Sequence, residues 1–127
     1  MKVRQVIIIF LIAFFSSRIC AMSPAPDSYT PPEWNEYANA EKDASIAVAH
    51  KDFRLLAYAT RGIMVPGIEQ DEKALLSQKC GLRMLEGFGD VVRSQEQLKK
   101  MRAFHDYVTA YNIIVAAQCR KTIKSSE

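Results

Sequence analysis

The sequence is poor in the residues that most often carry chemistry. It has only two histidines, His50 and His105, and three cysteines among 127 residues. Neither histidine has a second histidine or a cysteine at a metal-ligand spacing. The acidic run at 69–72 lacks the spacing of a calcium loop, and Gly87 and Gly89 lack the third glycine of a dinucleotide loop. We therefore expect no metal ion, no cofactor and no enzymatic activity.

A long apolar run is also missing, except at the N-terminus. Ten apolar residues at 6–15 follow a basic start and precede a small residue, Ala21. This pattern is typical of a secretory signal peptide, and it is too short to span a bilayer. We predict cleavage after Ala21 and no stable membrane span afterwards. Because Ile19 is larger than the residue usually found before such a site, retention as an N-terminal anchor is the alternative.

An excess of one charge is absent from the part that would remain. The chain carries a net charge of +3, but Lys2, Arg4 and Arg18 lie in the predicted signal peptide. Removing these three from the 17 basic side chains leaves 14, which equals the 14 acidic ones. Proteins that bind nucleic acid by releasing counterions carry a basic excess. The composition therefore excludes nucleic acid as the expected partner.

The cysteines predict one disulfide bond in a small exported domain. Cys20 falls in the signal peptide, which leaves Cys80 and Cys119 as a pair in an oxidising compartment. The 106 residues after cleavage are enough for one domain. The predicted divisions are a signal peptide at 1–21, a flexible leader at 22–30, one compact domain at 31–120 and a polar tail at 121–127 that frays.

One long amphipathic helix is the clearest element of the sequence. Ser94 and Gln97 have the spacing of a capping box, which predicts a helix that begins at Gln95. At 100° per residue, a single apolar stripe follows. Its members are Leu98, Met101, Phe104, Val108, Tyr111, Val115 and Cys119. We expect this stripe to form one wall of the core.

The remaining segments predict a small α+β domain. A cap residue, two prolines and a glutamate at 30–33 predict a helix from near Pro32 to about Ala49. Further along, the pattern indicates a strand at 53–60, a helix at 69–80 that stops at Gly81, and a strand at 82–86. The predicted fold has about three helices, a two-stranded sheet and one disulfide. An all-α bundle is the alternative, in which 53–60 extends the first helix.

Two polar residues lie within the apolar stripe of the long helix. His105 and Asn112 are seven residues apart and therefore lie on the same side. Buried polar groups need hydrogen-bond partners. One interpretation is that both are hydrogen-bonded core residues. The other is a small polar pocket, with His105 as a titrating group and Tyr111, Arg54 or Arg83 as neighbours.

The segment at 61–68 combines loop residues with large apolar ones. Its apolar members are Ile63, Met64, Val65 and Ile68. One interpretation is that they fold under as a lid on the core. The other is an exposed loop, stiffened by Pro66, that binds a partner, because contiguous exposed apolar surface usually marks an interaction site.

These features favour a binding protein over an enzyme. We expect an exported, small, non-catalytic binding or accessory protein of the bacterial envelope, such as an inhibitor, an immunity-type protein or a complex subunit. It would be periplasmic or secreted, and its partner would be another envelope or secreted protein. The alternative function is a small periplasmic enzyme or a ligand-binding module with a polar pocket around His105.

Overall fold

The computed structural model describes residues 29–88 and 91–127, so the predicted signal peptide and most of the predicted leader lie outside it. The elements are α1 (Ala40–Ala49), β1 (Leu55–Ala59), β2 (Ile63–Met64), α2 (Lys73–Cys80), β3 (Leu82–Leu85) and α3 (Gln95–Ser126). The small α+β domain is confirmed. The all-α alternative is wrong, because 55–59 forms a strand. The described parts of the chain hold three strands, not the predicted two.

The sheet has the order β2-β1-β3, with β1 in the centre. β1 pairs in parallel with β3, from Leu55 opposite Leu82 onwards, so the two predicted strands do pair. The additional strand, β2, pairs antiparallel with the end of β1, with Tyr58 opposite Met64. Its two residues came from the segment that the sequence predicted as a loop. The glycine and proline around them are typical of a loop, and a strand of two residues is too short to show a period.

The long helix α3 begins at Gln95, as predicted. The Ser94 hydroxyl accepts a hydrogen bond from the backbone N–H of Gln97 at 3.0 Å. The return bond of a capping box is shifted by one residue, because the Gln97 side chain accepts from the N–H of Arg93 at 2.8 Å. At the other end α3 continues to Ser126. Residues 121–126 of the polar tail are therefore part of α3, and no glycine or proline interrupts them.

The first helix, α1, begins at Ala40 rather than near Pro32. The side chain of Asn39 caps it by accepting from the N–H of Lys42 at 3.0 Å. The prolines upstream lie outside the helix, where the Pro32 carbonyl accepts a hydrogen bond from Arg83 at 2.7 Å. This contact joins distant parts of the chain, so rules based on neighbouring residues cannot predict it. It holds the segment outside α1. The predicted end at Ala49 is confirmed.

The second helix and the disulfide are close to the prediction. α2 begins at Lys73, four residues after the predicted start, and ends before Gly81, whose φ of 83° suits a glycine. Cys80 at its end is bonded to Cys119 of α3, with the two Cα atoms 6.1 Å apart. The predicted disulfide is therefore present, and it joins α2 to α3.

The core lies between α3 and the elements packed on it, α1 and β1. Phe104, Val108, Tyr111, Val115 and Cys119 of the predicted stripe are all buried. The first three residues of β1 are buried as well, as expected for a central strand. Among the helices that the structure describes, none has the length and apolar character needed to cross a bilayer.

Candidate functional site

Asn112 belongs to the core and completes the hydrogen bonding of the central strand. It is fully buried. Its Oδ1 accepts from the N–H of Leu56 at 2.7 Å, and its Nδ2 donates to the carbonyls of Leu56 at 2.9 Å and Pro66 at 2.8 Å. Extending the β1–β2 register would place Leu56 opposite Pro66, which has no N–H to donate. The Asn112 amide supplies that missing donor, so its role is structural.

His105 lies elsewhere, on the exposed part of α3. Its Nδ1 is 2.7 Å from the hydroxyl oxygen of Tyr58. Seven residues of helix separate it from Asn112 by about 10 Å along the axis. At the level of Asn112 the strand β1 covers the helix, whereas near His105 the strand has reached its exposed end at Ala59. The two residues share a side of the helix but not an environment, so they do not form one pocket.

Tyr111 is also separated from His105. It is fully buried, and its hydroxyl has no hydrogen-bond partner among the described residues. Burial raises the pKa of the hydroxyl, and the positive charge of Arg83 opposes this shift. The two arginines predicted beside His105 lie near Tyr111 instead. Arg54 is bonded to Asp52 at 2.8 Å, and Arg83 is bonded to the leading segment.

A groove of about 280 Å³ opens beside His105, between the end of β1 and the first turns of α3. Its floor is apolar, with Phe88, Leu98, Met101 and Phe104. Phe104 is buried and its ring contacts other rings edge-on, at 5.5 Å from Phe88 and 5.3 Å from Trp34 between centroids. These contacts fix the floor in place. The aromatic part of the floor is therefore packed against the core.

The rim of the groove is polar. Arg102, His105 and Asp106 of α3 line it, and the hydroxyl of Tyr58 holds the His105 ring. Burial raises the pKa of the Tyr58 hydroxyl above its ordinary value of 10.0, so it stays protonated to still higher pH. The sequence identified His105, but it did not reveal Tyr58 as its partner, because the two residues lie 47 positions apart.

The segment that contains β2 divides between core and surface. Val65 is 6% exposed, and Ile68 packs against the core. Ile63 and Met64 are 50% and 40% exposed. The carbonyl of Ile63 accepts a hydrogen bond from Nζ of Lys73 at 2.6 Å. Val65 and Ile68 therefore pack on the core, as the lid interpretation expects, whereas Ile63 and Met64 are exposed, and partner binding by these two stays a prediction.

No metal centre is visible in the described ranges, where no group of three or more histidine, cysteine or acidic side chains converges. The chain matches no family model, no curated protein and no solved structure in the comparisons made.

Proposed function

We propose that this protein is an exported, small, non-catalytic binding or accessory protein of the bacterial envelope, periplasmic or secreted. Its partner is another envelope or secreted protein. The observation that carries the proposal is the exposure of Ile63 and Met64 on the edge strand β2. Consecutive strand residues point to opposite faces of a sheet, so these two side chains flank the same exposed edge. Large apolar side chains exposed at such an edge are typical of a protein-binding surface.

The surroundings of β2 add to this surface. Ile113 of α3 is 54% exposed, and its side chain lies beside Gly67, three residues after β2. We define the β2 surface as Ile63 and Met64 of the edge strand together with Ile113, the exposed α3 residue beside the turn that follows this strand. The carbonyl of Ile63 accepts a hydrogen bond from Lys73, so a partner strand that paired with this edge would have to displace the lysine. We therefore expect the partner to contact the side chains of this surface.

Export is supported by two independent features of the chain. The N-terminal pattern at 1–21 predicts a signal peptide. The Cys80–Cys119 disulfide is a bond that persists in oxidising compartments and is rare in the cytosol. Fractionation of cells that express the full chain should recover it outside the cytoplasm, with an N-terminus at Met22 by mass spectrometry. Recovery of the uncleaved chain in the cytoplasm would refute export.

The binding proposal is tested by changing the β2 surface. Ile63→Asp and Met64→Asp each place a charge where the partner would bury an apolar side chain. Crosslinking in the native cell envelope should capture a stoichiometric partner with the unchanged protein and lose it with both variants. Met84→Asp is the matched control, because Met84 is 51% exposed on β3, at the opposite edge of the sheet.

The crosslinking result for each variant has to be compared with its thermal stability. All three substitutions are at exposed sites, so we expect thermal unfolding midpoints close to that of the unchanged protein. If the two β2 variants kept the partner while remaining folded, the β2 surface would not be the interface. If no partner were captured with the unchanged protein, the binding function itself would be wrong.

A further inference from the structure

We propose that the groove beside His105 binds a free α-amino acid with an aromatic side chain. The proposal develops the ligand-binding alternative for His105 and does not depend on the β2 surface. It rests on three features that meet in one place, namely an aromatic floor, a fixed hydrogen-bond donor and a pair of opposite charges.

The size and floor of the groove fit one aromatic side chain. Its volume of about 280 Å³ is just below the roughly 300 Å³ at which pockets for drug-sized ligands begin, which suits a smaller ligand. Phe104 is buried and supports Phe88 edge-on with ring planes at 69°, whereas Phe88, Leu98 and Met101 are partly exposed, so Phe88 is the ring that a ligand can contact. Aromatic pairs prefer edge-to-face or offset contacts over direct stacking. The floor therefore favours a planar apolar group of amino-acid size.

Tyr58 holds the His105 ring, and we assign its hydroxyl as the donor to Nδ1. When the Tyr58 hydroxyl donates to Nδ1, the neutral imidazole carries its proton on Nε2. A charged imidazolium also carries a proton there. Nε2 is thus available to donate to a carboxylate at the rim, with the ring held in one orientation. Tyr58 is a positioning residue in this arrangement.

The charges at the rim complement a zwitterion. Arg102 lies three residues before His105 and four before Asp106, so the three side chains occupy one face of α3. In the described part of the chain, neither Arg102 nor Asp106 comes within 4.0 Å of an opposite charge. Arg102 and His105 can bind a carboxylate, and Asp106 can accept from an ammonium group. Both groups sit on one carbon in an α-amino acid.

The test uses calorimetric titration of the intact mature protein with L-phenylalanine. Three analogues each remove one feature: phenylpropionate lacks the ammonium, phenylethylamine lacks the carboxylate, and glycine lacks the ring. We expect saturable binding of L-phenylalanine and at least about tenfold weaker binding of each analogue, because each lost contact involves a charged or fully apolar group.

Variants separate the contributions of the rim. Arg102→Gln should weaken the binding of L-phenylalanine by at least about tenfold and leave the affinity for phenylethylamine unchanged. Asp106→Asn should leave the affinity for phenylpropionate unchanged. Tyr58→Phe keeps the floor but frees the His105 ring. It should therefore weaken the binding of only those ligands that carry a carboxylate. Lys99→Gln is the control, because Lys99 is exposed on the same helix and lies outside this groove.

Three outcomes would overturn the proposal. One is the absence of saturable heat from L-phenylalanine at millimolar concentration with the folded protein. Another is equal binding of L-phenylalanine and phenylethylamine together with no effect of Arg102→Gln. The third is binding of a peptide that contains phenylalanine but not of the free amino acid, which would make the groove a docking site for a protein side chain.

Discussion

The Tyr29 hydroxyl donates a hydrogen bond to the Asp52 carboxylate at 3.0 Å, across 23 residues of chain. The same carboxylate accepts two bonds from Arg54, at 2.8 and 3.0 Å, and these hold its pKa below the ordinary value. The Tyr29 ring also stacks on His50, with centroids 4.4 Å apart. The segment before α1 is thus anchored to the start of β1 at its first described residue.

This anchor predicts a loss of stability at alkaline pH. Burial, and then the bond to Asp52, raise the pKa of Tyr29 to about 12 from an ordinary value of 10.0. Because the folded-state pKa is raised, the stabilisation is complete below pH 10.0 and is lost as the pH rises through about 12. Urea unfolding should show a steeper fall in stability over this window for the unchanged protein than for Tyr29→Phe. Equal slopes for the two proteins would show that Tyr29 does not couple ionisation to folding.

Asn112 predicts a large cost for a small substitution. Asn112→Ala leaves the N–H and C=O of Leu56 and the C=O of Pro66 buried without their partner, so the free energy of unfolding should fall by about 3 kcal/mol or more. Asn112→Asp keeps the shape, but the carboxylate has no donor for either carbonyl, and protonating it at neutral pH to gain one donor costs free energy, so it should also be strongly destabilising. Lys121→Ala, at an exposed site of α3, is the control. A loss below about 1 kcal/mol for Asn112→Ala would contradict this role.

The disulfide predicts a dependence of stability on redox conditions. The bond closes a loop across 39 residues, which corresponds to about 4 kcal/mol in the chain-entropy model. Guanidinium unfolding with and without dithiothreitol should show this difference. The double variant Cys80→Ser with Cys119→Ser should match the reduced protein and respond no further to dithiothreitol. If the oxidised and reduced proteins unfolded at the same denaturant concentration, the bond would contribute nothing to stability.

Two glycines in the β2 region form a matched pair. Gly67 has a φ of +87°, and a Cβ added there would lie 2.7 Å from the backbone oxygen of Thr109. Gly67→Ala should therefore lower the free energy of unfolding by about 1–3 kcal/mol. Gly62→Ala meets no atom within 4 Å and should stay within about 0.5 kcal/mol of the unchanged protein. Circular dichroism during thermal unfolding compares them, and similar midpoints for both variants would contradict the close approach of Gly67 to α3.

The sequence alone determined those features that depend on residues three or four positions apart. The start of α3 at Gln95 follows from Ser94 and its bond to Gln97, and the end of α2 follows from Gly81. The disulfide followed from counting, because only two cysteines remain after the predicted cleavage. Cap chemistry and cysteine parity need no knowledge of what lies across the core.

The tertiary structure decided which residues of α3 meet the sheet. His105 and Asn112 have the same helical phase, yet one is exposed beside Tyr58 and the other is buried against Leu56. The difference comes from where β1 ends and where Pro66 interrupts its pairing with β2. Which of these positions α3 meets is decided by contacts between residues more than 40 positions apart. A helical period fixes direction around an axis, but the length of the neighbouring strand fixes what is covered.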